Sequence, residues 1–360
     1  MKDPPTCFVH GIATAVPERS LNAEESAELL RRACRNPRAA KLLRRVVRLT
    51  GIEKRHLAVL DHQLDCDRPL YLPSEEQPDG PGMGARSALF DDAAGNLVCR
   101  ALGQFSDGTL AGIDALVTCS CTHASSPALD LPIFTRTPVS PAVDRWNLGF
   151  MGCSAGLAAL RLAHQTAPRR RNTLIVACEL SSLHFQYTDA LDQLTANVLF
   201  SDGAAAAILT PEPSAVRVVD CQCAALPQYA DQMVWFADDH GLRLNLSKDL
   251  PDTLGKHLPG ALERFLEEND HSLADIDHWL VHPGGPQILD SVQAALNLPP
   301  DALDLSRHVL RHFGNMSSPT ILFILRDLIE RKVDGTCVAM AFGPGLTIEL
   351  ALLEIDRGRA

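Results

Sequence analysis

The sequence predicts an α/β fold, and three observations carry that prediction. Hydrophobic residues make up 46% of the 360 residues and charged residues 21%, which is the composition of an ordinary globular protein. From residue 113 the chain alternates apolar, strand-like runs with segments of helical apolar spacing. The last third of the chain repeats this alternation. Such a pattern favours layers of helices and sheets over an all-helical or all-strand fold.

The N-terminal part supplies a strand and two helices. The run CFVHGIATAV is a strand candidate, and NAEESAELLRRACR after it has helical apolar spacing. Residues 61–85 are rich in Pro, Gly and acidic residues, so we expect a surface excursion with little regular structure. A further helix is predicted for SALFDDAAGNLVCRALGQF.

The rest of the chain supplies most of the strands. IDALVTCS and TLIVACEL are predicted as buried strands because each contains an uninterrupted apolar run, and HWLVHPGG is predicted as a strand that ends in a loop. LGFMGCSAGLAALRLAHQ is predicted as a turn that leads into a helix, and NMSSPTILFILRDLIER is predicted as a helix. The final segment, GTCVAMAFGPGLTIELALLEI, indicates two strands joined by a Gly-Pro-Gly turn.

Charge and cysteine content exclude several classes of function. A net charge of -11 argues against nucleic acid as the main partner, which would need a basic face. We see neither a secretory leader nor an apolar run long enough to span a membrane. Eleven cysteines in such a chain indicate reduced thiols in the cytoplasm. The pairs Cys119/Cys121 and Cys221/Cys223 lie in strand-like runs, so we expect buried thiols and no metal site.

Cys153 is the first candidate for chemistry. It lies in GFMGCSAGLAAL, where a turn containing Gly152 leads into a helix of small residues. A thiol at the start of a helix is near free N–H groups and the positive end of the helix dipole, both of which favour the thiolate. The alternative is that Cys153 is one more buried structural thiol.

His282 and Asn315 are the second and third candidates. His282 follows the apolar run WLV and precedes Pro283 and two glycines, which can hold the ring at a cleft. Asn315 lies in FGNMSSPT just ahead of an apolar helix. The alternatives are a structural loop histidine and an asparagine that caps the helix N-terminus.

Cys, His and Asn together fit a decarboxylative condensation. A Cys thiolate takes an acyl group from a thioester. His and Asn donors then hold the carbonyl oxygen of a malonyl thioester as it gains enolate charge. Because a protonated His lowers the pKa of a neighbouring thiol, we expect Cys153 and His282 to form an ion pair.

Several motifs together resemble the type III polyketide synthases of the chalcone synthase kind. HPGGPQILD around His282 is similar to that family's His motif, and GNMSSPTILFIL around Asn315 to its Asn motif. AFGPGLTIE resembles its C-terminal Gly-Pro-Gly loop, and ANVLFSDGAAAAIL the segment with one of two gating phenylalanines, here Phe200. The resemblance covers about residues 113–352, with RLTGIEKRHL before it.

The resemblance implies the fold and the activity. The fold is a five-layered αβαβα sandwich of the thiolase type, made of two similar halves that we place at residues 1–212 and 213–360. The implied enzyme is a homodimeric acyltransferase that loads an acyl-CoA starter on Cys153, extends it with malonyl-CoA and releases the product by cyclisation. Cys153, His282 and Asn315 are its catalytic residues, and CoA thioesters are substrates, so no cofactor is expected.

The substrate cavity is expected to depart from that of the plant enzymes. Leu244 falls where the second gating phenylalanine belongs, which predicts a wider passage. Cys121 falls at a cavity-lining position that is commonly Thr in plant members. These departures favour an aliphatic starter and an alkylpyrone- or alkylresorcinol-type product. The full set of expected substrate-binding residues is Phe200, Cys121, Leu244, Gly284, Gly285, Gln287 and Thr122.

A basic stretch supplies candidates for the CoA phosphates. Arg45 and Arg48 lie in KLLRRVVR, and Arg55 follows shortly after it. Arg forks suit phosphate groups well. One basic position of the family is occupied by Leu49, and a solvated helix face is the alternative.

Two other functions stay open at this point. A ketoacyl synthase III-like enzyme would use the same Cys, His and Asn for a single condensation or an acyl transfer. A non-catalytic homologue would serve as a partner subunit, although the presence of all three residues argues against it.

Overall fold

The computed structural model describes residues 7–34, 37–59, 75, 77–123, 126–167 and 172–359. The excursion predicted for residues 61–85 lies mostly outside these ranges. The prediction of little regular structure is wrong for the last three residues of that segment, because a long helix already begins at Met83. The helix predicted after Asn22 is confirmed: the Asn22 side chain caps it and Glu25 reaches back to the Asn22 backbone.

The N-terminal half contains seven strands and seven helices among the described residues. They are β1 (Cys7–Ala15), β2 (Ser20–Asn22), α1 (Ala23–Ala33), α2 (Pro37–Thr50), β3 (Lys54–His56), α3 (Met83–Leu102), α4 (Asp107–Ala111), β4 (Ala115–Ser120), α5 (Asp130–Arg136), β5 (Asp144–Gly149), α6 (Ala155–Thr166), β6 (Thr173–Leu180), α7 (Leu191–Leu199) and β7 (Asp202–Thr210).

The described part of the C-terminal half, residues 213–359, adds six strands and four α-helices. They are β8 (Val216–Ala225), β9 (Met233–Asp238), β10 (Gly241–Leu246), α8 (Leu250–Glu267), β11 (His278–Val281), α9 (Pro286–Ala295), α10 (Asp304–Phe313), α11 (Thr320–Glu330), β12 (Gly335–Gly343) and β13 (Thr347–Ile355).

Nine of these strands are hydrogen-bonded in the order β11-β12-β13-β8-β1-β7-β6-β4-β5. The N-terminal strands β5, β4, β6, β7 and β1 form one part and the C-terminal strands the other. The two parts meet at a short antiparallel pairing in which Cys7 to Val9 lie opposite Val218 to Val216. Strand β6 is buried along its whole length, as its apolar run predicts, whereas the outer strand β5 alternates between half-buried and exposed residues.

Helices cover the sheets in three layers. Helices α6 and α11 share one apolar core with strands of both halves, so they lie between the two parts of the sheet. Helix α3 covers the outer face of the N-terminal strands, and α8 and α9 cover the outer face of the C-terminal strands. The order is therefore helix, sheet, helix, sheet, helix, which confirms the predicted five-layered α/β sandwich.

Candidate active site

Cys153 lies at a sharp turn that opens the central helix α6. Residues Gly152–Ser154 form a single 3-10 turn and α6 follows at Ala155. Gly152 has a φ of +61°, and a Cβ at that position would lie 2.5 Å from the Pro344 ring, so only glycine fits. Cys153 itself is buried, and it is held at the start of the helix as the sequence predicts.

The second close approach in this region concerns Gly156. A Cβ at Gly156 would lie 2.4 Å from the Ser318 carbonyl oxygen. The missing side chain therefore lets α6 pack directly against the segment that precedes α11, which is the segment that carries Asn315.

His282 follows β11 directly and is fully buried, with 1% of its surface exposed. Its backbone N–H donates to the Met340 carbonyl on β12 at 2.8 Å, and its own carbonyl accepts from the Gly284 N–H at 3.0 Å. Among the residues that the structure describes, neither ring nitrogen has a hydrogen-bond partner. A buried imidazole with both nitrogens unpaired is available to a substrate.

Asn315 faces the thiol. Its Nδ2 donates to Cys153 Sγ at 3.8 Å, and its Oδ1 accepts from the Ser317 N–H at 2.8 Å. The backbone N–H of Asn315 donates to the Leu199 carbonyl and its own carbonyl accepts from the Ser201 N–H, so Asn315 is tied to the segment that carries Phe200. Asn315 is not the N-cap of α11, because that helix begins at Thr320.

The three predicted catalytic side chains line one cavity, which we call the Cys153 cavity. Its volume is ≈ 30 Å³, enough for one or two water molecules. Phe200, Leu244 and Gly284 line it too, as predicted for substrate-binding positions. The rest of the wall is apolar and consists of Leu199, Met233, Trp235, Leu246, Leu250, Ile288 and Phe342.

Burial keeps the resting site neutral. It raises the pKa of Cys153 to about 11, although hydrogen bonds from Ser317 and Asn315 lower that pKa in part. Burial also lowers the pKa of His282 to about 3. In the described structure the Cys153 and His282 side chains form no hydrogen bond with each other. The prediction of a thiolate–imidazolium pair is therefore wrong for this resting site.

Trp235 is the wall residue that sequence reasoning missed. It lies directly opposite Leu244 in the β9–β10 pair, and its ring meets Phe200 edge-on at a centroid distance of 5.5 Å. The predicted widening at Leu244 is therefore wrong for this conformation, because an indole occupies the neighbouring space. A single Trp in an alternating strand carried no signal that it would face the thiol.

Cys121 and Thr122 lie behind the cavity wall, so the structure does not support direct substrate contacts for them. The Cys121 thiol accepts from the Gly152 N–H at 3.0 Å and thereby supports the nucleophile turn. The Thr122 hydroxyl donates to the Glu179 carboxylate at 2.7 Å. Glu179, also missed from the sequence, is fully buried and further accepts from Ser318; burial raises its pKa.

Two predicted residues of the His282 loop behave differently from each other. Gly285 packs its backbone against Leu199, where an added Cβ would lie 3.7 Å away. The side chain of Gln287 is exposed and faces an outer groove between α8 and α9, so its assignment to the substrate cavity is wrong. It points outward because Ile288, the next residue on the helix, takes the inward position.

The structure separates the three arginines proposed for CoA. Arg45 and Arg48 are exposed on α2, beside Leu49, which is 66% exposed. Arg55 is only 2% exposed, and its Nη1 donates to the carbonyls of Asn197 at 2.6 Å and Phe200 at 2.8 Å. A guanidinium held inside the protein cannot meet a phosphate at the surface, so the assignment of Arg55 to CoA is wrong.

Comparison with known proteins agrees with this geometry. The model of the chalcone and stilbene synthase N-terminal domain matches residues 4–213, and that of the C-terminal domain matches residues 218–355. The chain therefore belongs to the chalcone and stilbene synthase family. It is an acyltransferase-type enzyme of the type III polyketide synthase kind, and the resemblance seen in its motifs is confirmed.

Individual relatives span nearly the whole chain. The chain is 30% identical to 1,3,6,8-tetrahydroxynaphthalene synthase of Streptomyces coelicolor over 94% of its own length and 90% of the relative. It is 29% identical to the alpha-pyrone synthesis polyketide synthase-like Pks18 of Mycobacterium tuberculosis, with 98% and 93% covered. The crystal structure of the Streptomyces coelicolor enzyme superimposes with a TM-score of 0.85 at 30% identity and 97% and 99% coverage. That of PKS-I from the brown alga Ectocarpus siliculosus gives 0.89 at 26% identity, with 99% and 100% covered.

Within the described residues, none of the helices combines the length and the apolar character that a membrane span requires.

Proposed function

We propose that this protein condenses an acyl-CoA starter with malonyl-CoA units on the Cys153 thiol and releases a pyrone or an aromatic product by cyclisation. The observation that carries the proposal is the convergence of Cys153, His282 and Asn315 in one closed, apolar cavity. Both relatives described above are named for products of this kind.

Loading begins at the thiol. Because burial keeps His282 neutral, one of its two ring nitrogens carries no proton and can accept the Cys153 proton as sulfur attacks the thioester carbonyl. The bond between that carbonyl and the CoA sulfur breaks, and CoA leaves as a thiol with the proton from His282. The acyl group then stays on Cys153.

Extension uses the same donors on malonyl-CoA. Loss of carbon dioxide leaves its electron pair on the remaining two-carbon unit as an enolate. An N–H of His282 and the Asn315 amide hold the developing charge on the thioester oxygen, in a site that is otherwise lined by hydrophobic side chains. The enolate carbon attacks the acyl group on Cys153 and releases the thiolate for the next round.

We propose an aliphatic starter and an alkylpyrone- or alkylresorcinol-type product. In support, the described cavity wall around the three proposed catalytic side chains consists of hydrophobic residues, and the Trp235 indole N–H is its one other polar side-chain group. Each buried methylene contributes about 0.8 kcal/mol. Arg45 and Arg48, both exposed on α2, are proposed to hold the CoA phosphates.

We further propose that the enzyme is a cytoplasmic homodimer. Strand β5 is the outermost strand of the nine at one end of the sheet, and Phe150 just after it is 59% exposed. A strand edge beside an exposed aromatic ring suits pairing with a second copy. Sedimentation of the wild-type protein and of Phe150→Glu tests this, and a monomeric wild type would contradict it.

The decisive experiment incubates purified protein with labelled malonyl-CoA and a panel of acyl-CoA starters, followed by product analysis by mass. Products with two or more extensions are expected, and Cys153→Ala serves as the inactive control. Products that stop at one extension would instead identify a ketoacyl synthase III-like enzyme. Failure of Cys153 to become acylated would identify a non-catalytic homologue.

A further inference from the structure

The backbone of Asn315 is held by the turn between α7 and β7. Its N–H donates to the Leu199 carbonyl at 3.0 Å, and its carbonyl accepts from the Ser201 N–H at 2.8 Å. Phe200 and Asn315 form a parallel bridge at the same point. We call residues 199–201 the Asn315 support, because the position of this turn sets the position from which the Asn315 amide reaches the thiol.

Arg55 holds the Asn315 support from the side of β3. Its Nη1 donates to the Phe200 carbonyl at 2.8 Å and to the carbonyl of Asn197, in the last turn of α7, at 2.6 Å. The last carbonyls of a helix have no partner within the helix, and the helix dipole favours a cation beside them. One guanidinium nitrogen therefore completes the end of α7 and fixes the turn that follows it.

A second contact ties the same two segments together. The Ser201 hydroxyl accepts from the His56 N–H at 3.2 Å and donates to the His56 carbonyl at 3.1 Å. Strand β3 and the Asn315 support thus hold each other in both directions, because Arg55 donates to the support and Ser201 is bonded to the strand.

Arg55 also packs against the residue that precedes Asn315. Gly314 has a φ of +70°, and a Cβ at that position would lie 3.0 Å from Ser201 Cβ and 3.2 Å from Arg55 Cγ. Only glycine allows this approach in this conformation. The Arg55 side chain therefore fixes the Asn315 segment at two places, through its stem at Gly314 and through its guanidinium at the support.

Stability alone does not explain a charge at this place. Arg55 is only 2% exposed, and it interacts with the charge of Asp202, which is fully buried next to the support. Asp202 in turn accepts from the N–H groups of Ala58 and Ser182. Because desolvation offsets the attraction between buried charges, such an arrangement adds little net stability. Its placement points to a requirement for fixed geometry.

We propose that Arg55 is a positioning residue that fixes the Asn315 amide where the enolate charge of the malonyl unit develops. This inference rests on the proposed function, in which Asn315 and His282 share that charge. Arg55 is not among the described residues that line the Cys153 cavity, so it acts through the Asn315 support. A donor to a developing oxyanion loses much of its effect when it is displaced by about 1 Å.

The test measures kcat and KM for malonyl-CoA decarboxylation, as released carbon dioxide, in two variants. Arg55→Lys keeps the stem over Gly314 and the charge near Asp202, but its ammonium ends about one bond short of Nη1 and cannot hold both carbonyls. Arg55→Met removes the donor. We expect kcat to fall about fivefold in Arg55→Lys and about thirtyfold in Arg55→Met, with KM unchanged, because the loss is confined to the transition state.

A double-mutant cycle shows whether the effect passes through Asn315. Asn315→Ala alone should lower kcat about 100-fold, as the loss of one oxyanion donor does. Adding Arg55→Met or Arg55→Lys to Asn315→Ala should lower kcat no further, because no amide is left to position.

Arg161 supplies the matched control. Its guanidinium donates to Glu349, which is fully buried, through two bonds of 2.9 Å, and it is not among the described residues that line the Cys153 cavity. Arg161→Met and Arg161→Lys should lower the melting temperature, as the Arg55 variants do, but leave kcat unchanged. If Arg55→Met does not fold, the two Lys variants carry the same comparison.

The outcomes separate the two proposals. An unchanged kcat in folded Arg55→Lys, equal losses of kcat in the Arg55 and Arg161 variants, or losses that multiply in the double variant would each refute the positioning role and leave the synthase function standing. If wild type neither releases carbon dioxide from malonyl-CoA nor becomes acylated on Cys153, the proposed function fails and the positioning role fails with it.

Discussion

We predict that Trp235 limits the length of the acyl chain that the site accepts. Its indole lines both the Cys153 cavity and a second cavity, which Arg55 and Ser181 also line. It lies across the hairpin from Leu244 and edge-on to Phe200. The two cavities on either side hold only ≈ 30 and ≈ 40 Å³. Replacing Trp235 with Leu should remove much of the shared wall and join them.

The expected magnitude follows from the space that is gained. Removing most of the indole admits about four further methylene groups, and each contributes about 0.8 kcal/mol when buried. The sum of about 3 kcal/mol corresponds to about a two-hundredfold gain in kcat/KM for the longer starter relative to the shorter one. Leu is chosen over Ala because a large-to-small change at a packed aromatic costs about 3–5 kcal/mol of stability.

The assay measures kcat/KM for acyl-CoA starters of two to twelve carbons with fixed malonyl-CoA. Trp235→Leu should steepen the dependence on chain length, and Leu244→Phe should penalise the longest starters most. Phe236→Ala is the matched control, since Phe236 is the next residue on the strand and is 46% exposed. A chain-length profile that is the same in wild type and Trp235→Leu would refute the role of Trp235 as the limiting wall.

Three further predictions concern the nucleophile, its protonation and the CoA site. Cys153→Gln should abolish condensation but retain malonyl-CoA decarboxylation, because a neutral amide can occupy the thioester position. Decarboxylation is measured as released carbon dioxide, and retained product formation would contradict the assignment of Cys153 as the nucleophile. Since burial raises the pKa of Cys153 to about 11, the rate of its alkylation should continue to rise well above pH 8.5. At pH 7 the site should contain about 300-fold less thiolate than a free thiol does. An alkylation profile with its midpoint below pH 8.5 that moves upward in His282→Ala would show an ion pair instead. Arg45→Ala with Arg48→Ala should raise KM for CoA thioesters about tenfold but leave KM for N-acetylcysteamine thioesters, which lack the phosphates, unchanged; equal effects on both would contradict a phosphate contact.

The sequence by itself determined the fold class and supplied the candidate catalytic residues. The alternation of strands and helices predicted the α/β layers, since the apolar period of each segment follows from the face that it buries. The motifs around Cys153, His282 and Asn315 predicted three side chains that the structure brings to one cavity. Local rules suffice for such features, because a glycine turn or a helix start depends on a few neighbouring residues.

Tertiary structure decided which other side chains face the cavity and in which state the site rests. Arg55 was predicted to bind CoA phosphates and is instead buried, whereas Gln287 was predicted to line the substrate cavity and is instead exposed. Trp235 fills the space that Leu244 leaves open, and it does so from the opposite strand of a hairpin. Burial and proximity depend on the packing of segments that are far apart in sequence, and the pKa values of Cys153 and His282 follow from that burial. The residues next to Cys153 and His282 in the sequence therefore could not predict these pKa values.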